Sequence, residues 1–211
     1  MKEYHKIQTV FKRDMGNNGK SLLLDQFSIP EFEYLKDCQW QFTEKVDGTN
    51  IRAMCDSPTC VSFGGKTDNA SIPAPLVARL REVFDPQAEK ISEMFPGGVC
   101  LYGEGYGPKI QKGGGNYGSI QDFVLFDIKV GPWWLERHNV ETITAQLGLR
   151  VVPIIGYGTI GEMVDFVRKG ITSTWGPFAA EGIVARPTAE LLTRGGHRII
   201  TKLKTRDFAN G

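Results

Sequence analysis

What most constrains this chain is a series of short β-rich runs with only a few helical segments set between them. Alternating or β-branched stretches fall at 40–44, 49–55, 60–63, 99–104, 122–130, 151–154, 181–186 and 198–204. Helical spacing is confined to 75–84, with Leu76, Leu80 and Val83 on one face, and to a continuation through Met94 after the interruption at Pro86. Two further helices are expected at 139–147, capped by Asn139 and stopped at Gly148, and at 162–169, ended by Gly170. Strands in runs with helices inserted between them predict an α+β domain built on antiparallel sheets.

A chain of 211 residues is expected to form one domain spanning 1–211 and to bury a real core. Hydrophobic residues at 41% and charged residues at 23% argue against disorder. No apolar run approaches a membrane span, and the leading Met1-Lys2-Glu3-Tyr4-His5-Lys6 lacks a signal peptide's apolar stretch, so no membrane partner is expected. Cys38, Cys55, Cys60 and Cys100 lack paired metal-site spacing and read as reduced thiols of a cytoplasmic protein. The net charge is only +1, so a nucleic-acid surface would have to be a local patch.

Among motifs, Lys45-Val46-Asp47-Gly48-Thr49-Asn50 stands out, a lysine beside a carboxylate on a glycine-bearing turn. Taken alone it is an ordinary hairpin signal. It is followed in order by Phe63-Gly64-Gly65-Lys66, Leu101-Tyr102-Gly103-Glu104-Gly105, the segment from Phe123 to Ile128, Glu181-Gly182-Ile183-Val184 and Lys202-Leu203-Lys204. In order and spacing these motifs resemble those of the covalent nucleotidyltransferases, the superfamily of polynucleotide ligases and capping enzymes. Asn50 and the Phe126-Asp127-Ile128 segment look most like the RNA ligase 2 branch. The resemblance runs from Phe11 to Lys204 and implies an antiparallel-sheet, ATP-grasp-like nucleotidyltransferase domain.

The chemistry asks for these residue types. A lysine that attacks a phosphorus must lose its proton, and moving its pKa from about 10.4 to roughly 7–8 takes on the order of 4 kcal/mol of differential stabilisation. Burial and the like charge of Lys202 and Lys204, which share one strand face at period-two spacing while Leu203 points to the core, supply that. Lys45, Lys202 and Lys204 are therefore the candidate catalytic residues, the last two stabilising phosphate charge. Asp47, Glu104 and Glu181 offer hard oxygen ligands for Mg2+ or Mn2+, and Glu104 alternatively takes the ribose hydroxyls.

The resemblance further implies ATP as nucleotide. Phe126 would stack on the purine, Glu44 or its backbone would meet the purine edge, and Glu181 would join the nucleotide contacts. Asn50 stands where DNA ligases carry arginine, and Arg52 faces the same side of the strand as a partial substitute. Lys66 stands where an arginine is usual, and a lysine lacks the forked bidentate contact. Lys109 and Lys112 on a glycine-rich loop, Lys12 and Arg13, and Arg194, His197, Arg198 and Arg206 outline a phosphate path.

Two glycine motifs do not carry nucleotide chemistry. The segment 16–21 ends in Gly19-Lys20-Ser21, yet Asp14 occupies the place of the first glycine of a phosphate-binding loop. Gly113-Gly114-Gly115 lacks a strand-to-helix context and reads as a flexible loop.

The expected activity is an ATP-dependent RNA ligase that forms lysyl-AMP, passes AMP to a 5′-phosphate and seals it to a 3′-hydroxyl, with RNA ends and RNA/DNA nicks as partners. Only seven residues follow Lys204, so no C-terminal OB or helical domain is expected, and a partner protein would supply a second nucleic-acid surface. The rivals are a DNA ligase core, a capping guanylyltransferase and, more distantly, a non-catalytic module that binds nucleotide or RNA ends.

Overall fold

The computed structural model describes residues 3–57 and 60–208, apart from the side chains at 57 and 60. Met1, Lys2, the Cys60 thiol and residues 209–211, all used in the sequence reading, lie outside the described residues. In chain order the elements are β1 (Gln8–Thr9), β2 (Phe11–Arg13), β3 (Leu22–Phe27), α1 (Pro30–Tyr34), β4 (Trp40–Lys45), β5 (Thr49–Ser57) and β6 (Cys60–Gly64). There follow α2 (Ala74–Phe84), α3 (Ala88–Met94), β7 (Val99–Tyr106), β8 (Asp122–Val130), β9 (Trp133–Trp134) and α4 (Arg137–Gln146). The chain continues with β10 (Ile154–Gly158), α5 (Ile160–Arg168), β11 (Gly182–Pro187) and β12 (Thr201–Lys204). They divide into two compact units, an insert unit of Val46–Val152 joined by the residues up to His5, and a flanking unit of Lys6–Lys45 and the residues from Pro153 onward.

In the flanking unit the sheet order is β1-β12-β11-β4-β10, antiparallel except where β1 runs parallel to β12. Strand alternation decides what each face carries. Trp40 and Phe42 of β4, Ile183 and Ala185 of β11, and Leu203 of β12 join one core with Ile160, Met163, Val164 and Val167 of α5. Thr43 pairs with Val184 and that with Lys202, while Lys45 pairs with Gly182 and that with Lys204. The three lysines therefore stand on the face turned away from this core.

Helix α5 begins two residues before its expected start, because Thr159 forms a capping box with Glu162. The Thr159 hydroxyl accepts from the Glu162 N–H at 3.2 Å, and the Glu162 carboxylate accepts from the Thr159 N–H at 2.7 Å. Helix α4 likewise starts earlier than expected, at Arg137, so Asn139 lies inside it rather than at its cap.

The insert unit has sheet order β6-β5-β7-β8-β9, all antiparallel. Its core face carries Ile51, Ala53, Leu101, Phe123, Leu125 and Ile128 beneath Leu76, Leu80 and Phe84 of α2 and Ile91 of α3. The two glycines that flank Glu104 belong to this packing. A Cβ at Gly103 would sit 2.3 Å from the Phe123 ring, and one at Gly105 would sit 2.4 Å from a Leu76 methyl. The opposite face carries the cross-strand pairs Asn50–Glu104, Arg52–Tyr102, Tyr102–Asp127 and Glu104–Val124.

Two strand expectations are corrected. Within 151–154, Val151 forms only an isolated parallel bridge to Leu125, and the strand proper is β10. The last strand is confined to Thr201–Lys204 because 192 and 198 close a separate bridge. The glycine-lysine segment at 16–21 is the β2–β3 connection, a 3₁₀ turn followed by Asn18 at φ 60° and Gly19 at φ 72°.

Candidate active site

Lys45 ends β4, and its neighbour across the sheet is Gly182, whose other neighbour is Lys204. Residue 182 has φ +155°, and a Cβ there would lie 2.1 Å from the Leu203 carbonyl oxygen, so only glycine lets β11 and β12 approach this closely. Glu181, one residue earlier, bridges the two lysines. The Lys45 Nζ donates to Glu181 Oε2 at 2.6 Å and the Lys204 Nζ donates to Oε1 at 2.6 Å. Burial alone would push the Glu181 carboxyl up, but the charges and hydrogen bonds of Lys45 and Lys204 outweigh it and hold it below the ordinary carboxylate value. Lys202 stands half-buried on the same face. Thr205 donates its N–H to the Glu181 carbonyl at 2.9 Å, and Asp207 accepts from the Lys204 N–H at 3.0 Å and from Arg13 at 3.0 Å. The strand end that carries Lys204 is thus tied on both sides.

Glu44 lies on the core face, opposite in direction to Lys45, and is 1% exposed. Its carboxylate accepts from the Ser173 hydroxyl at 2.5 Å, the Thr174 hydroxyl at 2.6 Å and the Thr174 N–H at 2.9 Å. Sequence reasoning assigned nothing to Ser173-Thr174, whose pairing with Glu44 crosses more than a hundred residues.

The remaining expected residues belong to the insert unit. Asp47 sits in the turn before β5, and its Oδ2 accepts from the Gly113 N–H at 3.0 Å. Asn50 and Glu104 are cross-strand partners and half-buried. Arg52 is 1% exposed, donating from Nε to the Gly65 carbonyl at 2.8 Å and from Nη2 to Asp68 at 2.7 Å. Gly64 lets this guanidinium pass, since a Cβ there would be 2.8 Å from it. Arg52 thereby fixes the segment that carries Lys66, whose own side chain is exposed.

Phe126 is the extra residue of a bulge, for Tyr102 pairs with Asp127 and Gly103 with Leu125. Tyr4 meets its ring edge-on at 5.1 Å between centroids and donates its hydroxyl to Asp127 at 2.5 Å. His5 stacks on Tyr4 at 4.6 Å between ring centroids.

Of the expected phosphate path, Lys12, Lys109, Lys112, Arg194, His197 and Arg206 are exposed. Arg198 is buried against Glu190, and Arg13 is held by Asp207 and the Gly19 carbonyl. These two are structural contacts.

Among the described residues no group of three or more His, Cys, Asp or Glu is arranged to hold a metal. A cation here would rest on one or two carboxylates, with waters and nucleotide phosphates completing the shell, which is how magnesium is usually bound. Asp47 fits, since among the described residues its Oδ1 takes no hydrogen bond, whereas both oxygens of Glu181 are engaged by lysines.

A family model described as RNA ligase matches residues 38–204. A comparison with curated proteins gave no match. Among solved structures, the chain is similar to an apo mutant of a Naegleria gruberi RNA ligase, at 18% identity and TM-score 0.67, covering 98% of this chain and 58% of the ligase. It is equally similar to the Naegleria gruberi RNA ligase with pyrophosphate, at 18% identity and TM-score 0.67, over 99% of this chain and 59% of the other. A mutant of that ligase with ATP and manganese gives 17% identity and TM-score 0.69, over 97% and 56%. The chain thus spans less than two thirds of the length of these ligases, and the likeness establishes a shared α+β fold.

Proposed function

Because this chain belongs to the RNA ligase family, we propose that it is an ATP-dependent RNA ligase working through a lysyl-AMP intermediate on Lys45. The observation that carries the reading is the Glu181 carboxylate, which holds Lys45 and Lys204 each at 2.6 Å beside the close β11–β12 approach at Gly182. Such a bridge fixes the nucleophile and a second cation at defined positions, the preorganisation that phosphoryl chemistry depends on.

In the first step Lys45 gives up its proton to the Glu181 carboxylate it meets at 2.6 Å, and the freed amine attacks the α-phosphorus of ATP. The P–N bond forms, the bond to the bridging oxygen breaks, and pyrophosphate departs with the charge. Lys204 and Lys202 stabilise negative charge on the phosphoryl oxygens. In the second step an oxygen of an RNA 5′-phosphate displaces the Lys45 nitrogen, leaving AMP joined to the RNA end through a pyrophosphate linkage. In the third, a 3′-hydroxyl attacks that 5′-phosphate, loses its proton, and AMP leaves. Asp47 and Glu104 would hold a magnesium or manganese ion, which when bound neutralises triphosphate charge. Phe126 and Asn50 serve the base and sugar, while Arg52 contributes by holding the Lys66 segment. The Glu44 carboxylate is taken by Ser173 and Thr174 and its N–H donates to the Pro153 carbonyl at 3.1 Å, so Glu44 braces the strand end beside the nucleophile. All of 1–211 acts as one adenylyltransferase domain in this reading. ATP and RNA ends are the partners, and a protein partner finds no supporting observation. A cytoplasmic setting is part of the proposal, in keeping with the thiols of Cys38, Cys55 and Cys100, which form no disulfide with one another. No helix among the described residues is long and apolar enough to cross a membrane.

The test is labelling with ATP and with GTP, followed by sealing of nicked RNA and all-DNA duplexes across a salt series. ATP labelling, AMP transfer to a 5′-phosphate and better sealing of RNA than of all-DNA nicks are expected. Labelling by GTP alone would make it a capping-type enzyme, preferred sealing of all-DNA nicks a DNA ligase core, and binding without labelling a non-catalytic module.

A further inference from the structure

The glycine-rich segment after Glu104 is packed, not free as its composition suggests. Gly114 and Tyr117 are buried in a 3₁₀ turn, and Tyr117 lies 6.2 Å from the Tyr106 ring. Gln121 donates to the Pro108 carbonyl at 2.8 Å, which closes the loop at its base. The tip of this loop meets Asp47. The Gly113 N–H donates to Asp47 Oδ2 at 3.0 Å, and a Cβ at 113 would fall 2.8 Å from that same oxygen, closer than real Cβ atoms come. A Cβ at Gly114 would be 3.4 Å from the Asp47 carbonyl oxygen and 2.7 Å from that of Gly107. On the other side of Asp47, a Cβ at Gly48 would lie 2.2 Å from the Gly105 carbonyl oxygen and 2.8 Å from the Glu104 Cγ. The Asp47 carboxylate is therefore pressed at Gly113, while Gly48 and Gly114 beside it are packed against main chain, and among the described residues its Oδ2 takes a main-chain hydrogen bond and its Oδ1 takes none.

We propose that the Gly113 main-chain amide is a positioning group for Asp47 and thereby sets the divalent-metal requirement of adenylylation. The inference rests on Asp47 being a metal-binding residue, as proposed above. An amide donor fixes which oxygen is presented and in what orientation, as the outer partners of metal ligands generally do, and losing such a partner typically weakens metal binding by about 10–100-fold. Gly113 touches no reacting atom in this scheme and acts only through Asp47. Gly115 supplies the internal control, because a Cβ there would meet only Pro108 at an ordinary 3.8 Å.

The experiment titrates magnesium against single-turnover AMP labelling for wild type, Gly113→Ala, Gly115→Ala and Asp47→Asn, at saturating ATP. Gly113→Ala should raise the half-saturating magnesium concentration about tenfold or more and approach wild-type labelling at high metal, while Gly115→Ala stays within about twofold of wild type. If Asp47→Asn leaves the metal dependence at the wild-type value, the assignment of Asp47 as a metal-binding residue fails. If Asp47→Asn shifts it and Gly113→Ala does not, the assignment stands and the present inference is overturned. Should Gly113→Ala not fold, amide hydrogen exchange decides instead. The Gly113 N–H should be protected in wild type and lose that protection in Asp47→Ala, and equal exchange in both would overturn the proposal.

Discussion

Replacing Gly182 by alanine probes the point where sheet geometry and chemistry meet. The added Cβ would stand 2.1 Å from the Leu203 carbonyl oxygen and 2.7 Å from the Lys204 Cα, whereas ordinary contact begins near 3.4 Å. Strand β12 would have to retreat by about 1.3 Å, the difference between 3.4 and 2.1 Å. Holding an alanine at the unusual φ costs about 1–3 kcal/mol and forcing a methyl into packed structure about 1–3 kcal/mol, so a loss of roughly 2–6 kcal/mol is expected. That is a large share of the ~5–15 kcal/mol by which domains are usually stable. A retreat of this size also carries Lys204 out of its 2.6 Å bond to Glu181, and misplacement of that order lowers a rate by about 100-fold. Gly97→Ala is the control, since nothing lies within 4 Å of its Cβ, and it should stay within ~0.5 kcal/mol of wild type. Urea unfolding gives the stability and single-turnover AMP labelling the rate. A Gly182→Ala protein as stable as Gly97→Ala, or folded and labelling at the wild-type rate, would refute the reasoning.

The depressed Glu181 pKa makes a second prediction, about pH. Because the folded value lies below 4.5, the ion pairs contribute fully above that pH and their contribution is lost as pH falls through the folded value. The stability gap between wild type and Glu181→Gln, read from urea melts, should be constant near neutrality and narrow as pH drops below about 4.5; a gap that widens on acidification would contradict it. Arg52→Met should cost about 1–3 kcal/mol or more by leaving the Gly65 carbonyl unserved, whereas Asp68→Ala, whose side chain is 78% exposed, should cost at most about 1 kcal/mol; equal thermal shifts for the two would show that Arg52 does not anchor this segment.

Much of the fold was legible because it follows from local alternation. The runs that became β4, β5, β7, β8 and β11 announce themselves by period-two patterning, and Pro86 marks the break between α2 and α3. Thr159 and Glu162 carry a capping-box spacing, a local signal that sets the start of α5 at Ile160. Other features depend on contacts between distant segments, which no local pattern encodes. The bulge that isolates Phe126, the Ser173-Thr174 grip on Glu44, the burial of Arg52 under Gly64 and the Tyr4 bond to Asp127 are of this kind. Glycine was the most misleading residue. Gly103 and Gly105 flank a candidate site carboxylate, yet they make room for Phe123 and Leu76, while Gly113, read as slack, is pressed against Asp47.

The central claim is that Lys45 is the nucleophile, and mass spectrometry addresses it most directly. After incubation with ATP and magnesium, followed by proteolysis, the account predicts a single adenylyl adduct on the peptide that contains Lys45, absent from the Lys45→Ala protein. An adduct mapped to another residue, or no adduct under conditions in which ATP is bound, would contradict it.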